Sequence, residues 1–168
     1  MKKLCLCIVV AISLTACSHT YYVVRHAEKQ APGANMTSDV QLSEAGRQRA
    51  ISLKDELMDK NIRSIYSTNT IRTKSTAEPL AEQLQVEMEI YGPMPDAAFI
   101  NLLKSFTSNT LIVGHSNTVD DIVNGLTNRQ SIPGDLSESA YDNLFIVRYN
   151  RFFGTKITMQ QKKYGRLD

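Results

Sequence analysis

"YYVVRHAEK" runs from Tyr21 to Lys29. Tyr21, Tyr22, Val23 and Val24 are β-branched or aromatic and do not alternate with polar residues, the pattern of a short strand covered on both faces. Arg25, His26 and Glu28, three groups that resist burial, follow at once. A buried strand can end this way where its carboxyl end opens onto a site, and open α/β sheets bind their ligands just there.

The same pattern recurs along the chain. Ser64–Tyr66, Thr110–Val113 and Leu144–Tyr149 are short apolar runs. Val86–Ile90 instead alternates, with Glu87 and Glu89 between Val86, Met88 and Ile90, as a half-exposed edge strand would, and Lys156–Gln160 is a candidate last strand. Helical spacing fills the gaps: Ala50, Leu53 and Leu57 follow a possible N-cap at Ser43; Ala77, Leu80, Ala81 and Leu84 form a second stripe; Val119, Ile122, Val123 and Leu126 form a third. Alternating strands and helices predict an α/β domain over residues 21–168, three-layered α/β/α with a largely parallel central sheet.

Three of the strands lead into polar loops that hold an unusual basic residue. Arg25 and His26 follow the first, Arg72 lies in "STNTIRTKSTA" after the second, and His115 lies in "GHSNT" after the third. If these strands are parallel neighbours, two arginines and two histidines converge on one edge of the sheet. That set suits a tetrahedral dianion, because guanidinium forks match phosphate oxygens and helix starts add N–H donors. Taken singly, Arg25 could be a strand-end surface charge, Arg72 an exposed helix residue like Arg47, Arg49 and Lys74, and His115 a helix cap. Together those readings need three coincidences at equivalent places.

Composition narrows the classes. The 168 residues carry 19 basic and 17 acidic groups, and setting Lys2 and Lys3 aside leaves a body of zero formal charge. Such a body gives no case for nucleic-acid binding, so an anion site must be local. Cys5, Cys7 and Cys17 all fall at the amino-terminal end, leaving the rest without thiol or disulfide chemistry. There is no P-loop ending in GKS/T and no His/Asp cluster spaced for metal ligation, so no metal or cofactor is expected and a nucleophilic histidine is the economical choice for phosphoryl transfer.

Residues 1–16 read as an export signal: Lys2 and Lys3 precede an apolar run, Leu4–Leu14, that is too short for a bilayer span of about 20 residues. "LTAC", Leu14–Cys17, resembles the lipobox of bacterial lipoproteins, which implies cleavage before Cys17 and its acylation. Stable anchoring needs more than one acyl chain, at about 0.8 kcal/mol per buried methylene, and a lipoprotein cysteine carries that many. The expectation is a protein held on a membrane of the bacterial envelope. Ser18 is compatible with the periplasmic face of the outer membrane. Residues 17–20 would form a short tether, with His19 in it and without a specific role.

The chain also resembles the histidine phosphatase superfamily, the phosphoglycerate mutase-like fold. The resemblance rests on "VVRHAEK" (Val23–Lys29), "LSEAGRQRA" (Leu42–Ala50), "IYSTNTIRTKSTAEPLA" (Ile65–Ala81) and "LIVGHSNT" (Leu111–Thr118), in the family's order. It implies that His26 is the nucleophile that becomes phosphohistidine, and that Arg25, Arg72 and His115 hold the transferring phosphoryl group. The family's usual proton-donating acid has no counterpart at its familiar positions, and Ser116 and Asn117 stand beside the second histidine. Asp96 and Glu28 are the candidate proton donors, against readings as a solvated loop or helix cap for Asp96 and an ion pair with a pocket arginine for Glu28. The expected activity is metal-independent hydrolysis of a small phosphomonoester. A phosphomutase of the same fold and a non-catalytic lipoprotein binding phosphate or phosphoglycans are the rival readings. Gaps of 46 residues from His26 to Arg72 and 43 from Arg72 to His115 leave no room for a large cap domain.

Overall fold

The computed structural model describes residues 18–31, 39–152 and 154–165. Among these residues six strands and four helices follow in the order β1 (Ser18–Arg25), α1 (Glu44–Leu57), β2 (Ile62–Thr68), α2 (Ile71–Leu84), β3 (Met88–Tyr91), α3 (Ala97–Ser105), β4 (Asn109–Gly114), α4 (Val119–Thr127), β5 (Asn143–Asn150) and β6 (Lys156–Lys163). The sheet order is β3-β2-β4-β1-β5-β6. The first four of these are mutually parallel and β5 and β6 add antiparallel partners at the far side. The expected three-layer α/β fold with a largely parallel sheet is present.

Alternation along β1 explains the layers. Tyr21 and Val23 join a core with Leu103 of α3 and Val119, Ile122, Val123 and Leu126 of α4. Tyr22 and Val24 point the other way, into a core with Leu53 and Leu57 of α1 and Ala77, Leu80 and Ala81 of α2. Both faces of the strand are covered, so an unbroken apolar run is what the position requires.

Helix starts follow local chemistry. Ser43 caps α1 by accepting from the Gly46 N–H at 3.1 Å. Gly46 is required there, since a Cβ would lie 2.1 Å from the Glu28 carbonyl oxygen, so α1 packs directly onto the segment after β1. α3, which the helical spacing did not reveal, is capped by Asp96 through the Phe99 N–H at 2.8 Å. With nine residues and only Leu103 buried, it is too short and too exposed to show a repeating stripe.

The structure corrects several expectations. Ser18–Thr20 are part of β1 and pair with Arg148–Asn150 of β5; main-chain pairing reaches back to Ser18 and leaves no free tether there. His19 is 2% exposed, its Nε2 lies 3.0 Å from the Tyr21 hydroxyl, and its ring meets those of Tyr21 and Tyr149 edge-on. In β3 it is Tyr91 that is buried, in the α3/α4 core, while Ile90, on the opposite face of the strand, is 51% exposed. The export signal and Cys17 lie outside the described residues. Among the described residues no helix is long and apolar enough to cross a membrane.

Candidate active site

β2, β4 and β1 are adjacent and parallel, so the loops after them meet at one edge of the sheet. Arg25, the last residue of β1, stands in register with Gly114, the last of β4. The His26 N–H then donates to the Gly114 carbonyl at 2.9 Å, extending the pairing by one residue and fixing the histidine beside His115. Arg72 arrives on the first turn of α2, whose N-cap is Thr70.

Each group is held by identifiable partners. Arg25 is 1% exposed; its Nη1 donates to the Ser137 carbonyl at 2.9 Å, its Nη2 to Glu138 Oε2 at 2.7 Å, and its guanidinium lies 4.2 Å from the Tyr141 ring centroid. His26 is 3% exposed, with Nδ1 2.8 Å from the Ala27 carbonyl oxygen. A carbonyl can only accept, so Nδ1 carries the proton and Nε2 keeps the lone pair. Burial, with Arg25, Arg72 and His115 nearby, pushes the His26 pKa down to about 3 despite the Ala27 bond, so the ring is neutral at pH 7.

His115 sits in a proton chain of the same kind. Arg72 Nη2 lies 3.4 Å from His115 Nδ1, His115 Nε2 lies 2.8 Å from Thr68 Oγ1, and Thr68 Oγ1 donates to Thr73 Oγ1 at 3.0 Å. The chain closes if Nδ1 accepts from the guanidinium and Nε2–H donates to Thr68, which is the neutral tautomer. Burial first, then Arg72 and Arg25, lower the His115 pKa to about 4.

These side chains line one cleft of about 400 Å³ that includes Arg25, His26, Arg72 and His115, with Met94 and Glu138 on its walls. The convergence expected from the three loops is therefore present in space. A second depression, of about 340 Å³ between α1 and α2, is lined by Leu42, Ile51 and Pro79 among others and contains none of these four side chains. Among the described residues no group of three or more His, Cys, Asp or Glu side chains is placed to hold a metal ion.

The two candidate proton donors are placed elsewhere. Glu28 turns away from the cleft to Arg49, with contacts of 2.7 to 2.9 Å, and Arg49 is 4% exposed rather than an ordinary surface residue. Arg49 also donates to the Tyr164 carbonyl at 3.1 Å, so the pair ties α1 and the segment after β1 to the carboxyl-terminal strand. Asp96 is occupied as the α3 cap and does not line the cleft.

Two carboxylates that the sequence did not single out are in place. Glu138 bridges Arg25 Nη2 and Ser116 Oγ, the latter at 2.6 Å, and the Ser116 bond and then Arg25 hold its pKa below the usual carboxylate range. Asp39 accepts from the Ile71 N–H at 2.8 Å and contacts Arg72 Nη1 at 3.4 Å, orienting the start of α2. Neither lies in a motif with a readable spacing; both are brought in by loops.

Comparison with known proteins agrees with this geometry. Residues 21–94 match the model of the histidine phosphatase superfamily, branch 1. No curated protein matches the chain by sequence. Among solved structures, the protein histidine phosphatase SixA complexed with tungstate is 16% identical, with a TM-score of 0.63 over 86% of this chain and 96% of that one. Mycobacterial glucosyl-3-phosphoglycerate phosphatase is 12% identical, with a TM-score of 0.64 over 88% and 100%. Phosphoserine phosphatase from Entamoeba histolytica, in complex with 3-phosphoglyceric acid, is 12% identical, with a TM-score of 0.58 over 89% and 98%. At these identities the likeness is one of fold. The matched segment, which is less than half of the chain, carries Arg25, His26 and Arg72 and resembles that superfamily; over the rest of the chain, His115 included, the likeness is to the fold of these structures.

Proposed function

We propose that this protein is a phosphatase that hydrolyses a phosphomonoester through a phosphohistidine on His26, without a metal. The observation that carries the reading is the His26 ring: neutral, buried, with its Nδ1 proton committed to a backbone carbonyl and its Nε2 lone pair available among three cationic or proton-donating groups. Nε2 attacks phosphorus, the bond from phosphorus to the ester oxygen breaks, and the departing oxygen takes a proton from solvent water to leave as the alcohol. Water then attacks the phosphohistidine, releasing inorganic phosphate and restoring the imidazole. Arg25 and Arg72 neutralise the equatorial oxygens in both steps. His115 gains a reason to protonate when a dianion arrives, since bound negative charge opposes the effect of the arginines.

Glu138 fits the second step. Its bond to Ser116 and its pairing with Arg25 keep it ionised, which suits a base that takes a proton from the attacking water. The neighbouring solved structures include phosphatases named for a protein histidine and for small phosphorylated acids, which supports a phosphatase and leaves the organic part of the substrate to experiment. The reading of Cys17 as a lipid attachment site, with residues 1–16 removed on export to the bacterial envelope, rests on the order of "LTAC" after an apolar run.

The test is phosphate release by the full chain in detergent, across a panel of phosphomonoesters with a chelator present, beside His26→Ala. Activity that survives chelation, vanishes in the variant and passes through an acid-labile phosphoenzyme is the expected result. Tight reversible phosphate binding without turnover, unchanged by the substitution, would instead identify a phosphate-binding lipoprotein.

A further inference from the structure

The end of the sheet opposite the cleft has a composition of its own. Ser18 of β1 pairs with Asn150 of β5, and Asn150 pairs with Lys156 of β6. Thr20 donates its N–H to Asn109 Oδ1 at the start of β4, and Asn109 Nδ2 donates to the Lys60 carbonyl before β2. The start of β1, the β5–β6 turn and the loops entering β2 and β4 therefore form one surface. Phe152 in that turn is 49% exposed, and Met58 and Leu102, near the ends of α1 and α3, are each 46% exposed. Around Phe152 stand Arg151, whose Nη2 donates to the Lys104 carbonyl at 2.6 Å, Lys104 itself and Lys156. Among the described residues no carboxylate forms an ion pair with any of these three, while the nearby Asp59 is taken up by Lys60 at 2.7 Å.

We propose that this surface rests on an anionic lipid bilayer, with Phe152 seated at the boundary of headgroups and acyl chains and Arg151, Lys104 and Lys156 facing the headgroups. The proposal rests on the reading of Cys17 as the lipid anchor. Cys17 immediately precedes Ser18, which is already hydrogen-bonded into the sheet, so an acyl group there brings this edge to the membrane with no slack for another orientation. An exposed aromatic ring flanked by cations is the composition that interfacial binding uses. The eight residues of β1, at about 3.3 Å each, then hold the cleft about 25 Å above the lipid surface and facing away from it. A substrate must come from the aqueous side; a phosphate in the headgroup layer of the same leaflet is out of reach.

The chain contains no tryptophan, so a single introduced indole reports its own surroundings. The full chain carrying Phe152→Trp, and separately Met94→Trp at the cleft wall, is reconstituted into phosphatidylethanolamine/phosphatidylglycerol vesicles whose acyl chains are brominated. Thr155→Trp, in the same turn, supplies a second placement should Phe152→Trp misfold. The turn indoles should be quenched about twofold, as for a ring about 5–10 Å into the interface, and the Met94→Trp indole should not be. Protein that does not float with the vesicles defeats the anchor reading and the docking together. Protein that floats with an unquenched turn, or with both positions quenched alike, overturns the docking while the anchor stands.

Discussion

His26 and His115 face each other edge-on, with ring centroids 5.4 Å apart and planes 67° apart. Each is neutral for the same reasons, burial and the two arginines. With His19, lowered by burial and then by Arg151, all three histidines of the chain lie below their ordinary value of 6.5. The unfolded chain therefore binds more protons than the folded one between the folded values, about 3 for His26 and about 4 for His115, and 6.5. Stability contributed by these rings is complete above pH 6.5 and falls as the pH drops through that window. Urea midpoints should decline from pH 7 to pH 5, and His26→Asn should make the decline shallower.

Replacing His26 by alanine removes the proposed nucleophile but leaves the arginines. Turnover should fall by at least about 10³-fold, with no phosphoenzyme, whereas inorganic phosphate should still bind. Rapid acid quench with radiolabelled substrate, beside calorimetric phosphate binding, reads both parts.

Glu138 occupies Arg25 from the solvent side, and 74% of its side chain is exposed. A bound dianion must compete with that carboxylate. Glu138→Gln should bind inorganic phosphate several-fold more tightly, through loss of like-charge repulsion, and turn over about 10²-fold more slowly through loss of the proposed base. Weaker phosphate binding in the variant would mean that the carboxylate serves to position Arg25.

Arg49 and Glu28 form a nearly buried ion pair, with side chains 3% and 17% exposed. Removing one partner strands the other, so Arg49→Ala should lower the unfolding free energy by about 3 kcal/mol. Urea denaturation measures that loss, and phosphate affinity should change much less, because the pair lies outside the cleft.

Much of the cleft was legible. Arg25, His26 and His115 each follow an apolar run, and Arg72 opens a helix after one. Once β2, β4 and β1 are parallel neighbours, chain direction alone brings the four together. Helices α1, α2 and α4 showed themselves by buried stripes, while α3 buries only Leu103 and left no stripe to read. Glu28 was misread because adjacency in sequence suggested the cleft, whereas its partner Arg49 lies 21 residues on, across a helix that a glycine lets close.

By itself, the sequence determined the class of fold and which arginines and histidines stand at the strand ends that meet in the cleft, since these depend on local periodicity and on residue type. The tertiary structure alone decided which carboxylate meets which cation. Glu138 reaches Arg25 across 113 residues because β5 pairs antiparallel to β1 and returns its preceding loop to the cleft. It also decided that His19 is buried, through the packing of Tyr21 and Tyr149 on neighbouring strands. Long-range pairing depends on strand order and register, and no local pattern in the chain records either.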